Sequence, residues 1–418
     1  MMMRLMTSTM LGLLAATMLA ACSDDAPKTP PDISNDMSAD LSEDRDIAGA
    51  DLPVAADLPI EAPDLVTAPD QDEAPDSGAD MEGPRCELAW AGEGVPECED
   101  AGATALPTDG FGLAGAHPVE VIELGVVRKV TVYLPTDVAR APVVFFSHAF
   151  GAREVSQYDA TFRVLASQGI AVVQVPYSTA TPGTDGRASF IERYDELFDG
   201  FMLATASPQT RDRLDLTKVG FAGHSFGGAA TPELARRGFV ERGWGSQGRF
   251  FFSMAPWYSW GTGYDTIPAD TKMVVQVYQQ DVTNSHCVSA GFWDQLPAAA
   301  EKRWQVVHPD VCGACALPAA HSVPFTGDGL KPNEDNGLDV WAVRRRIHAL
   351  AAYAFDKNMS AKAIGLGDDT DMGAWLGCGG RAVAPLVTTT APTDSGCDAR
   401  SQFRCDCRDE YEAGEACP

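Results

Sequence analysis

Between about Leu106 and Phe355 the chain alternates short apolar runs with longer segments of helical period. Val127 to Leu134 alternates like a strand and stops at Pro135. Pro142 to Ser147 is continuously apolar, as expected of a strand buried on both faces, and Ile170 to Val175 repeats the pattern. Lys218 to Ala222, Arg249 to Met254, Lys272 to Tyr278 and Arg303 to Val307 are further strand candidates. Helices are predicted over Tyr158 to Gln168, closed by Gly169, and over Ser189 to Ala204 and Gly227 to Arg237, with a last one N-capped by Asp339 and running to about Phe355. Strand–helix alternation of this kind predicts an α/β fold, a mostly parallel sheet covered on both faces.

The ends follow other patterns. Met1 to Thr9 carry one positive charge, Arg4, before an apolar run from Met10 to Ala20, a secretory leader too short to span a bilayer. It ends in Leu19-Ala20-Ala21-Cys22, which resembles the lipobox of bacterial lipoproteins, so residues 1–21 are expected to be removed and Cys22 lipidated. Ser23, rather than Asp, follows the cysteine, which under the common sorting rule points to the outer membrane or cell surface. Residues 22–85 are rich in Asp, Pro and Ala and nearly free of aromatics. They cannot bury enough apolar surface to offset their ordering entropy and read as a disordered, self-repelling tether. This stretch carries about half of the net charge of −28. With no basic patch elsewhere, phosphate-based binding of nucleic acid is excluded. The remaining domains are residues 86–358, the main α/β domain, and residues 359–418, a tail without helix or strand period, expected to be a small disulfide-tied appendage.

The chemistry centres on Gly223-His224-Ser225-Phe226-Gly227, placed between a buried strand and a helix. That context is what the nucleophile elbow of α/β-hydrolases requires: a sharp, strained turn presenting the serine at a helix N-terminus. A serine nucleophile needs a base and the base an orienting acid, in the chain order Ser, acid, His. His117, His148 and His224 precede Ser225, and His348 lies inside the last helix. Of His286, His308 and His321, the last sits in a loop after the last strand and is preferred, with His308 as the alternative. Asp281, just past the strand ending at Tyr278, is preferred as the acid over Asp265, Asp270 and Asp310. Backbone N–H groups of Phe226 and of Phe150, in the loop after Ser147, are the expected oxyanion donors.

Phe146-Ser147-His148-Ala149-Phe150-Gly151 together with Gly223-His224-Ser225-Phe226-Gly227-Gly228 resembles the platelet-activating-factor acetylhydrolases and chlorophyllase-like esterases of the dienelactone-hydrolase-like branch. Ala255-Pro256-Trp257, followed by a strand and Asp281, resembles the bacterial cutinases and polyester hydrolases; Leu165-Ala166-Ser167-Gln168-Gly169 resembles both. The resemblance covers residues 106–356. It implies a Ser225–His321–Asp281 triad, no cofactor or metal, carboxylic esters (small molecules, lipids or polyesters) as substrates, and Trp257 and Phe150 lining the substrate cleft. Ala149 stands where the family motifs have glycine, adding a methyl to the oxyanion loop. Two other readings remain beside the esterase: an amidase or peptidase using the same triad, and a binding protein on an inactive hydrolase scaffold.

Eleven cysteines less Cys22 leave ten, Cys86, Cys98, Cys287, Cys312, Cys315, Cys378, Cys397, Cys405, Cys407 and Cys417, an even set expected to form disulfides in an exported chain. Cys86–Cys98 is expected as a local bridge, and a bond from Cys287 to Cys312 or Cys315 as a tie between acid and base loops. The rival use of Cys312 and Cys315, with His286 and His308, is a zinc site. Trp257, Tyr258 and Trp260 are expected to form an exposed apolar patch.

Overall fold

The run Val143-Val144-Phe145-Phe146 is apolar at every position because successive side chains enter different cores. Val143 and Phe145 join one cluster, and Val144 and Phe146 the other, on opposite faces of one sheet. The computed structural model describes residues 92, 94–98, 103–126, 129–153, 155–178, 186–326, 336–393 and 401–413. All of these belong to the compact unit Asp80–Pro418. The expectations for the leader, Cys22, the tether, Cys86, Cys397 and Cys417 lie outside the described residues.

The protein is a mixed α/β structure built on a nine-stranded sheet. In chain order its strands and those of a small hairpin are β1 (Val119–Leu124), β2 (Val130–Pro135), β3 (Ala141–Ser147), β4 (Ala171–Val175), β5 (Leu214–His224), β6 (Gly248–Met254), β7 (Lys272–Tyr278), β8 (Glu301–Val307), β9 (Asp310–Cys312), β10 (Cys315–Leu317) and β11 (Val387–Thr389). The sheet order is β1-β2-β4-β3-β5-β6-β7-β8-β11, and β9 and β10 form the separate hairpin. Every pairing from β4 to β8 is parallel, while β1, β2 and β11 pair antiparallel at the edges. The helices are α1 (Asp159–Ser167), α2 (Gly186–Ala206), α3 (Phe226–Arg236), α4 (His286–Ala290), α5 (Arg345–Asp356), α6 (Met359–Leu366) and α7 (Arg408–Ala413). Residues of α1 and α5 fill one core, and those of α2 and α3 the other.

Two local expectations change. Asp339 is not the cap of the last helix. The helical turn starts at Gly337, Asn336 accepts the Leu338 N–H (2.8 Å), and Asp339 reaches back to the Asn336 N–H (2.7 Å). This is a reciprocal capping arrangement that puts Asp339 inside the first turn. The tail is not irregular throughout: it contributes α6, α7 and the edge strand β11, paired to β8 through Val387, Thr388 and Thr389.

The strand order decides where a site can form. From β3 the chain crosses to β4 on one side and then to β5 on the other, so the carboxyl ends of β3 and β5 flank a topological switch point. Open parallel sheets leave a crevice there, because the two following loops run in opposite directions.

Candidate active site

Ser225 stands at the carboxyl end of β5, directly before α3, with φ 56° and ψ −117°. A side-chain-bearing residue rarely takes a positive φ, so surrounding structure must hold it there. The Ser225 N–H donates to Met254 O of β6 (2.9 Å), and its carbonyl accepts from Ala229 N (2.9 Å) and Trp257 N (3.0 Å). The elbow glycines are set by close approach. A Cβ on Gly227 would stand 2.0 Å from Ser147 O, and one on Gly223 would stand 2.3 Å from Gly227 O.

The loop after β3 lies alongside. The Phe150 and Phe226 rings are 6.3 Å apart, centroid to centroid. Phe226 is the first residue of α3, where an N–H has no intrahelical acceptor. In the neighbouring loop the Ala149 N–H is taken by Tyr158 Oη (3.0 Å).

Asp281 and His321, 40 residues apart in the chain, meet with His321 Nδ1 2.8 Å from Asp281 Oδ2. The carboxylate is nearly sealed, its side chain 2 % exposed. Its other oxygen, Oδ1, accepts the Thr283 and Asn284 N–H groups, both at 2.8 Å. The loops bearing Asp281 and His321 are also joined at Gln280, whose N–H donates to Ala319 O (2.8 Å) and whose side-chain oxygen accepts the Ala319 N–H (3.1 Å). Three of the alternatives for these roles are engaged elsewhere. His308 Nδ1 pairs with the Gln279 amide oxygen (2.6 Å), Asp270 faces Arg249, and Asp310 holds Arg381 and the Trp375 indole.

A buried relay links the loop after β3 to the loop bearing His321, and sequence reasoning missed it. Tyr158 Oη lies 3.0 Å from His224 Nδ1, and His224 Nε2 lies 2.9 Å from the His321 carbonyl. A carbonyl only accepts, so His224 carries its proton on Nε2, and Nδ1 accepts the Tyr158 O–H. The His224 and His321 rings are 4.8 Å apart. Burial holds the His224 imidazole well below its ordinary pKa, so it stays neutral, and burial drives the Tyr158 phenol up. His148, stacked on Tyr177, is lowered to about 4, again by burial. His224 stands in the pentapeptide, but its place before Ser225 speaks only against its being the base; Tyr158 gives no signal in the sequence beyond opening a helix.

Two expectations fail. Trp257, Tyr258 and Trp260 are not an exposed patch: they are 8 %, 1 % and 1 % exposed, packed with Phe190, Phe226 and Phe403. Phe150, at 45 % exposed, is the aromatic of the expected cleft that reaches solvent. The disulfides also differ. Cys98 bonds Cys315, Cys287 bonds Cys405, and Cys312 bonds Cys378, with Cys407 in a disulfide as well. Neither the Cys86–Cys98 bridge nor a direct tie of Cys287 to Cys312 or Cys315 forms. Tail cysteines take Cys287 and Cys312, and Cys98 takes Cys315. Cys312 and Cys315 are thereby consumed, which removes the sulfur ligands of the zinc alternative. No family model matches the chain, and no curated protein matches it.

Proposed function

We propose that this protein is a serine carboxylic ester hydrolase of the α/β-hydrolase fold. The observation that carries the reading is Ser225 in a left-handed turn between β5 and α3, with the His321–Asp281 pair at the same sheet edge, in the chain order Ser, Asp, His.

Ser225 Oγ attacks the ester carbonyl while His321 Nε2 takes its proton. Asp281, locked through Oδ1 by two backbone N–H groups, keeps His321 protonated at Nδ1 and faces the imidazolium as it forms. The N–H groups of Phe226 and Phe150 receive the oxyanion; losing one such donor costs about 3 kcal/mol of transition-state stabilisation. His321 returns the proton to the leaving alkoxide, and water then cleaves the acyl-enzyme through the same base. Phe150, with Arg193 over its ring at 5.8 Å, offers an apolar surface to the acyl or alcohol part of the ester. The leader, the lipobox and the disulfides together support an exported, lipid-anchored enzyme meeting esters outside the cytoplasm.

Initial rates on p-nitrophenyl esters from acetate to palmitate, with fluorophosphonate labelling of Ser225, test the reading. Turnover and labelling that both require Ser225 are expected. A folded protein that neither labels nor cleaves any ester overturns it, and cleavage of matched amides at equal rate would shift it to an amidase.

A further inference from the structure

The active-site chemistry leaves the cysteine-rich end of the chain without a task. The geometry points to one: residues Ser401 to Cys405 are a strap that positions Asp281, so the C-terminal segment is a working part of the catalytic site. The catalytic consequence rests on the serine-hydrolase reading above; the strap's contacts do not.

The acid loop, Asp281 to Ser285, has two sides. On the inner side the Thr283 and Asn284 N–H groups converge on Asp281 Oδ1. This points the loop's carbonyls outward, where the strap takes them in sequence. Ser401 Oγ donates to Asp281 O (3.1 Å), Gln402 N to Val282 O (2.8 Å) and Phe403 N to Thr283 O (2.8 Å). Ser285 N returns a bond to Phe403 O (2.9 Å), making a parallel bridge between Asn284 and Phe403. The chain thus adds a strand to its own catalytic loop, as an extended peptide does to an open sheet edge. Three residues past Asn284 and two past Phe403, the Cys287–Cys405 disulfide closes the pairing.

The strap is itself anchored to the core. The Tyr258 hydroxyl donates to Arg404 O, Arg408 donates to Ser259 O (3.0 Å) and lies 5.4 Å over the Trp260 ring, and Phe403 packs on Trp257 at 5.5 Å. A segment that served only to cover Trp257 and Trp260 needs the ring and guanidinium contacts. It does not need three successive bonds to the carbonyls of the loop bearing the acid. A carboxylate that must hold an imidazole in one orientation gains from such a backing, since small misplacements of catalytic groups are expensive in rate.

The test uses the full chain with Cys287→Ser/Cys405→Ser and, separately, Ser401→Ala. Each is read for the fluorophosphonate labelling rate of Ser225, for kcat and KM on p-nitrophenyl acetate, and for the low-field proton resonance of His321 Nδ1–H, well below its own melting temperature. The double variant is expected to lose on the order of tenfold to a hundredfold in kcat and labelling rate with KM little changed, and its low-field resonance broadens or disappears. Ser401→Ala shows the same pattern at about threefold and serves alone if the double variant does not fold. Melting temperatures that fall while labelling rate, kcat and resonance stay at wild-type values overturn the strap as a positioning element. A wild type that does not label at all overturns the hydrolase reading instead, and the resonance still reports whether the strap orders the Asp281–His321 bond.

Discussion

On one side of the site, Ser225 and Phe226 sit where β5 turns into α3, so tightly set that a single methyl on Gly227 would meet Ser147 O at 2.0 Å. On the other, Asp281 and His321 sit in loops that owe their meeting to Gln280, to the strap and to disulfides reaching 118 and 217 residues along the chain. The nucleophile side is built by neighbours in the sheet, through backbone contact without covalent aid. The acid–base side is built by distant segments that must be tied. Strain can be stored where the sheet over-determines the backbone, whereas loops are restricted by cross-links that remove unfolded conformations, at roughly 2–4 kcal/mol each.

The largest test of this contrast is Ser225→Ala, which changes no packing. It should remove kcat by on the order of a millionfold, with the thermal midpoint unmoved; substantial residual turnover places the nucleophile elsewhere. Gly227→Ala should instead break the nucleophile side as a structure. The added carbon meets backbone atoms that cannot rotate away, so a loss of about 3 kcal/mol or more in urea unfolding is expected, and near-wild-type stability would mean that β3 and α3 are not held as closely as described.

A pH series sharpens the same side. The unfolded imidazole titrates near 6.5, while burial lowers folded His148 to about 4 and holds folded His224 well below its ordinary value. Below pH 6.5 the unfolded chain therefore binds protons that the folded chain refuses. This contribution is complete above 6.5 and drains away as pH falls toward 4, by up to about 3 kcal/mol for His148. The urea midpoint measured from pH 7.5 to 4.5 should fall accordingly. If it is flat, these rings are not neutral and buried.

The smallest expected effect bridges the two sides. Tyr158→Phe leaves His224 Nδ1 and the Ala149 N–H without their shared partner. We expect a loss of about 1–2 kcal/mol in stability and a several-fold drop in kcat. An unchanged kcat would show that the oxyanion and base loops keep their places independently.

Much of this was open to reading because it is local. A strand buried on both faces must be apolar throughout, so β3 and β4 could be found from Pro142 to Ser147 and Ile170 to Val175, and β7 was located to the residue. The elbow could be recognised because its steric demand is met by neighbours in sequence, Gly223 and Gly227. The missed elements had weak or misleading local patterns. β1 is an edge strand in which only Leu124 is buried and two glutamates interrupt the apolar residues, and β11 is three residues long. The tryptophans around Trp257 looked like a surface patch because nothing nearby in sequence covers them; Phe403 and Arg408 arrive from the far end of the chain.

Residue order thus determined the α/β pattern, the position of the strained serine and the short list of acids and bases, since each follows from side-chain period or from a turn closed within a few residues. The tertiary structure showed that the preferred His321, and not His308, faces a carboxylate, and it alone decided that Cys287 bonds Cys405 and that the tail backs Asp281. Such pairings depend on which distant loops the strand crossovers carry to one edge of the sheet, and no local pattern of residues records that distance in space.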